Sequence, residues 1–216
     1  MIDEKYFKGF ERHIIDTGEV KIHAWVGGHG KEAVLLLHGH PESHLMWHGV
    51  APELAKDYTV VSPDRRGYGE SSKPYGTPDH ATYSKRAMAD DQVFVMKHLG
   101  FDQFHIAGHD RGGRVCHRMM TDHPDTVHAI AEDYRASVTV DWELDMADRS
   151  KKVKVPVMCL WGSDGNICKI WDVVGIWSQL AENVTGYGVP GCGHFVPEEK
   201  PEITAEKIRE HIEKNK

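Results

Sequence analysis

Five consecutive apolar residues, Ala33–Leu37 (AVLLL), run straight into the loop His38-Gly39-His40-Pro41. The run does not alternate, so it does not suit a strand with one wet face. It suits a central strand buried on both faces, which requires helices above and below the sheet. The rest of the chain supplies them. Strands are predicted at Val20–Val26, closing an N-terminal hairpin, and at Tyr58–Ser62, Gln103–Ala107, Val127–Ala131, Val155–Leu160 and Val184–Val189. Helical patterns fall between or after them at Leu45–Lys56, Thr82–Leu99, Arg114–Asp122, Trp171–Ala181 and Pro201–Lys214. This alternation predicts an α/β fold, a mostly parallel sheet with helices on both faces. Pro63–Pro78 carries three glycines and three prolines and reads as a loop.

With 216 residues, no repeats and no compositional break, the chain is expected to form a single domain, 1–216. The net charge of −7 and the lack of a basic block argue against nucleic acid or an anionic membrane as partner. No apolar run approaches the ~20 residues that span a bilayer, and the polar N-terminus lacks a signal-peptide core, so a cytoplasmic protein is expected. The four cysteines show no C-x-x-C spacing. Neither a metal nor another cofactor is expected, although His38/His40 and His105/His109 have spacings a metal could use.

The chemistry is concentrated in Gly108-His109-Asp110-Arg111-Gly112, placed between a predicted strand and a predicted helix. It has the glycine spacing of a strand–nucleophile–helix turn, with Asp110 where a serine commonly stands. Small neighbours two residues away relieve the crowding of such a turn, and the helix N-terminus beyond it favours negative charge. A capped strand-to-helix turn would be the plainer reading. Two further loops argue for chemistry: His38-Gly39-His40-Pro41 after the central strand, and Gly191-Cys192-Gly193-His194-Phe195 after the last strand. A carboxylate is already ionised at neutral pH and can attack saturated carbon without a base. A histidine is then needed to activate water against the resulting ester. The backbone N–H groups of His40 and Arg111 are the candidates for an oxyanion hole.

The segments HGHPESHLMWHGVAPELA, SPDRRGYGESSKP, YSKRAMADDQVFVMKHLGF, AGHDRGGRVCHRMMTDHPD, EDYRASVTVD and PGCGHFVPEEKPE cover most of the chain. Together they resemble the haloacetate (fluoroacetate) dehalogenase branch of the α/β-hydrolases. The resemblance implies a hydrolase with Asp110 as nucleophile and His194 as base. It also implies Arg111 and Arg114, with His40, as binding residues for a small carboxylate substrate. The acid that supports His194 is open between Asp133, which is favoured, and Asp164. Relatives carry a helical cap that closes the pocket and holds the departing halide. Here it is missing near 131–135, since only 84 positions separate Asp110 from His194. Self-association through the surface left uncovered is an accompanying expectation.

Overall fold

A computed structural model of the chain describes residues 5–132 and 145–216. An eight-stranded sheet runs through it: β1 (Glu11–Asp16), β2 (Lys21–Gly27), β3 (Ala33–Leu37), β4 (Thr59–Pro63), β5 (Phe104–Gly108), β6 (Val127–Glu132), β7 (Val157–Gly162) and β8 (Val184–Val189), in the order β1-β2-β4-β3-β5-β6-β7-β8. The hairpin β1–β2 and the β2–β4 pair are antiparallel, and every pair from β4–β3 onwards is parallel. The helices used below are α1 (Lys85–His98), α2 (Arg111–Asp122), α3 (Val173–Leu180) and α4 (Pro201–Lys214).

Successive side chains of a strand point to opposite faces, and β3 shows why its run must be apolar throughout. Ala33, Leu35 and Leu37 join Met88, Val93, Met96, Val115, Met119 and Trp177 in one core cluster. Val34 and Leu36 join Trp25, Trp47, Leu54, Val60, Ile208 and Ile212 in the other. Helices α1, α2 and α3 thus cover one face, and α4 helps cover the second.

Four helical elements differ from the sequence expectation, each for a local reason. The single helix expected over Leu45–Lys56 is a 3-10 turn at His44–Trp47 followed by a short helix at Ala51–Leu54. Pro52 has no N–H and belongs in a first turn, so a new helix begins there. Ser84 caps α1 by accepting the Ala87 N–H, which moves its start from Thr82 to Lys85. Asp172 does the same for α3 through Gly175 N–H. Helix α2 begins at Arg111, three residues earlier than expected, because its glycines belong to the helix and not to the loop.

The parallel register brings the site loops to one edge of the sheet. Leu37 pairs with Gly108, Gly108 with Glu132, and Glu132 with Cys159. The C-terminal ends of β3, β5 and β7 therefore open on the same side, where α/β sheets place their ligands.

Candidate active site

Asp110 stands between β5 and α2 at φ 49° and ψ −116°, a backbone conformation L side chains rarely adopt. Such a turn costs roughly 1–3 kcal/mol and persists only where its surroundings hold it. The glycines on either side show what does. A Cβ on Gly108 would lie 2.6 Å from the Gly113 nitrogen. A Cβ on Gly112 would lie 2.2 Å from the Leu37 carbonyl oxygen and 2.6 Å from that of His38. The first turn of α2 is therefore pressed against the end of β3. His109 N–H donates to Leu37 O at 2.9 Å, closing the same junction.

That closeness delivers the loop after β3 to Asp110. His40 N–H donates to Asp110 Oδ1 at 3.0 Å. Among the described residues, Oδ2 of Asp110 has no hydrogen-bond donor, so one oxygen is held and the other is open. Arg111 is the first residue of α2, and its N–H lies in the turn that has no intrahelical acceptor.

The third loop carries His194. Its backbone is clamped from two sides. Glu199 accepts the Gly193 N–H at 2.7 Å and the Phe195 N–H at 3.0 Å. These hydrogen bonds, from Gly193 first, hold the Glu199 carboxyl below the usual range. On the other side His109, buried beneath Asp110, faces His194 O with Nε2 at 2.9 Å and Glu42 Oε2 with Nδ1 at 3.1 Å. Both partners are acceptors, an arrangement an imidazole meets fully only with both nitrogens protonated. Glu42 Oε2 also accepts the Gly39 N–H at 2.7 Å, so one carboxylate ties the β3 loop to the elbow and, through His109, to the histidine loop. The His109 and His194 rings are 4.9 Å apart.

The residues named from the sequence fall into place unevenly. Asp110, His40 and Arg111 adjoin one another, and His194 reaches the elbow through His109. Asp164 is exposed in the loop after β7; its N–H donates to Cys192 O at 2.9 Å, beside the His194 loop. Asp133 lies outside the described residues. Arg111 is half-buried and has no ion pair among the described residues. Arg114 extends to Asp145, Nη2 to Oδ2, at 3.3 Å. The sequence reading missed Glu42, Glu199 and the buried Arg65, and gave His109 no role beyond a possible metal spacing. The visible signal for Arg65 was a charged run, Asp64-Arg65-Arg66, directly after an apolar strand.

A doubly covered parallel sheet, a strained residue at the end of β5 and a histidine loop beyond the last strand define the α/β-hydrolase architecture. The family model of the alpha/beta hydrolase fold matches residues 32–133. A fluoroacetate dehalogenase of Burkholderia sp. is 35% identical over 290 positions, covering 95% of this chain and 95% of its own length. The chain belongs to the α/β-hydrolase family, in the branch of that dehalogenase. A soluble epoxide hydrolase of Corynebacterium sp. (strain C12) is 28% identical, covering 85% of this chain and 90% of its own. A crystal structure from Nostoc sp. PCC 7120, assigned to the alpha/beta hydrolases, superposes with a TM-score of 0.91 at 35% identity, over 95% of this chain and 99% of that one. The Burkholderia alignment is 74 positions longer than the 216 residues of this chain, so at least that many have no counterpart here.

Proposed function

We propose that this chain hydrolyses the carbon–halogen bond of a short 2-haloacid, with Asp110 as nucleophile and His194 as base. One observation carries the reading: the elbow holds a carboxylate, with Oδ1 fixed by the His40 N–H at 3.0 Å and Oδ2 open for attack. Oδ2 displaces the halide from the saturated carbon next to the substrate carboxylate, and the halide leaves with the bonding pair. The product is an ester on Asp110. His194 removes a proton from water, whose oxygen attacks the ester carbon of Asp110. The resulting oxyanion lies at Oδ1, facing the N–H groups of His40 and Arg111. Collapse releases the 2-hydroxyacid, which takes the proton from His194, and the water's remaining proton leaves the Asp110 carboxyl for solvent, restoring the carboxylate. The Arg111 guanidinium, next to the nucleophile and without an ion pair among the described residues, is suited to the substrate carboxylate. Arg114 shares that role through the same helix. Asp133 or Asp164 supports His194. The positions without counterpart are assigned to a cap after β6, whose absence opens the site to water and leaves apolar surface for self-association.

Epoxide opening by the same carboxylate is the second reading, favoured by the Corynebacterium relative. No helix among the described residues is long and apolar enough to cross a membrane.

The test is chloroacetate with wild type, Asp110→Ala and His194→Ala, followed by halide release and intact mass. The expected result is chloride from the wild type, none from Asp110→Ala, and a carboxymethyl adduct retained on His194→Ala. Halide release by Asp110→Ala, or neither halide nor adduct in any of the three, overturns the proposal.

A further inference from the structure

Arg65 is fully buried, yet its guanidinium forms no ion pair among the described residues. Its Nε has no hydrogen-bond partner, Nη1 faces the Met88 sulfur at 3.7 Å, and its plane lies over the Tyr68 ring with the carbon 4.6 Å from the centroid. Burying a guanidinium without a counter-ion is costly, and an apolar side chain would fill the space at less cost. The one oxygen it grips is informative. Nη2 donates to the Gly39 carbonyl at 2.9 Å. His38, also fully buried, places Nδ1 at 2.8 Å from the same oxygen.

The Gly39 carbonyl and the His40 N–H belong to one peptide group. In a trans peptide the two point in opposite directions, so holding the oxygen aims the N–H. The His38 tautomer is fixed by its other nitrogen: Nε2 accepts the Arg65 N–H at 3.1 Å, which leaves the proton on Nδ1. Burial, aided by the adjacent Arg65 charge, pushes His38 down to about 3, so it stays a neutral donor throughout the working range. A charged donor on a carbonyl is stronger than a neutral one and polarises the bonds in line with it.

We propose that Arg65 and His38 brace the Gly39–His40 peptide, aiming its N–H at Asp110 Oδ1 and strengthening it as the oxyanion donor. Both are positioning residues, since neither touches the substrate. The inference rests on reading Asp110 as the nucleophile. It also says when the brace matters. The ester on Asp110 is neutral, and its attack by water returns negative charge to Oδ1, so the brace acts chiefly on ester hydrolysis. Burial lowers the Arg65 pKa, while the charges of Tyr68, Asp110 and Glu42 act in the opposite sense, which agrees with a cation directed at the site.

The test separates the two nitrogens of His38. An asparagine amide nitrogen overlays Nδ1, and a glutamine amide group overlays Nε2. His38→Asn therefore keeps the donor to Gly39, and His38→Gln keeps only the contact with Arg65. One readout is the His40 amide proton in a nitrogen–proton correlation spectrum, which needs no turnover. The other is the formation and decay of the chloroacetate adduct in the full chain. His38→Gln and Arg65→Met are expected to shift the His40 amide upfield. They should slow adduct decay by about tenfold, below the ~10²–10³-fold typical of deleting an oxyanion donor outright, with adduct formation changed far less. His38→Asn should restore both. An unmoved His40 amide in folded His38→Gln, or His38→Asn impaired as much as His38→Gln, refutes the brace. If Arg65→Met does not fold, the His38 pair decides. If the wild type forms no adduct and releases no halide, the function proposed above fails, and the His40 amide still decides the brace.

Discussion

Replacing Asp64 with asparagine should destabilise the protein by an amount that fades with acid. Asp64 follows β4 and is fully buried. Its Oδ1 accepts the His44 N–H at 2.8 Å and faces His44 Nδ1 at 3.0 Å, and Oδ2 accepts the Glu70 N–H at 2.9 Å. The His44 ring in turn stacks on Trp25 at 3.5 Å, so this carboxylate fixes the start of the His44–Trp47 turn to the sheet. Burial alone would raise its pKa, but the His44 hydrogen bonds outweigh burial and hold it at about 2, against an ordinary 3.8. At 1.36 kcal/mol for each tenfold change in proton affinity, that difference is worth about 2 kcal/mol. The folded-state value lies below the unfolded one, so the contribution is full above about pH 4 and is lost as pH falls towards 2. At pH 3 roughly half of it remains, about 1 kcal/mol. Urea unfolding of wild type and Asp64→Asn at pH 7, 5 and 3 reads the gap directly. A gap equally large at pH 3, or none at pH 7, refutes the reasoning.

Three further substitutions probe the site. Gly112→Ala places a methyl against the Leu37 and His38 carbonyls and must push α2 away from β3; a loss of about 1–3 kcal/mol in denaturation and a severe drop in adduct formation are expected. Arg111→Met should weaken chloroacetate and glycolate binding with an unchanged melting temperature, because no ion pair among the described residues is lost. Arg114→Met should lower both affinity and melting temperature, because its largely buried side chain pairs with Asp145. Titration calorimetry and thermal melting of the same samples check both.

The fold was legible where a pattern is local. Ala33–Leu37 declared a strand buried on both faces, and both core clusters draw on it. The elbow was legible because its glycines stand at fixed offsets from Asp110, and the clashes a Cβ would meet explain those offsets. The Leu45–Lys56 stretch misled because Met46, Trp47, Val50 and Leu54 keep a helical spacing and are all buried, while the break between two short turns depends on Pro52. The joint role of Arg65 and His38 was not legible. Their meaning comes from contacts across 26 and 27 residues, Arg65 Nη2 to Gly39 O and Arg65 N–H to His38 Nε2, which no periodicity records. Glu42 and Glu199 escaped for the same reason, since a carboxylate accepting backbone N–H groups looks like any surface acid in a sequence.

The register that aligns Leu37 with Gly108 has a consequence for how this protein acquires its site. The hydrogen bond from His40 to Asp110 spans 70 residues, and that from His109 to the His194 carbonyl spans 85. Closing loops of that length carries an entropic cost that no single hydrogen bond at the site can meet, so the parallel strands must meet it. Contacts this distant along the chain also belong to slowly forming topologies. The placement of Asp110, the His40 amide and the histidine loop therefore depends on the strand pairings and not on the local chain. The three come together with the sheet and disperse with it, and a fragment ending before β8 would carry Asp110 in a turn with no His194 beside it.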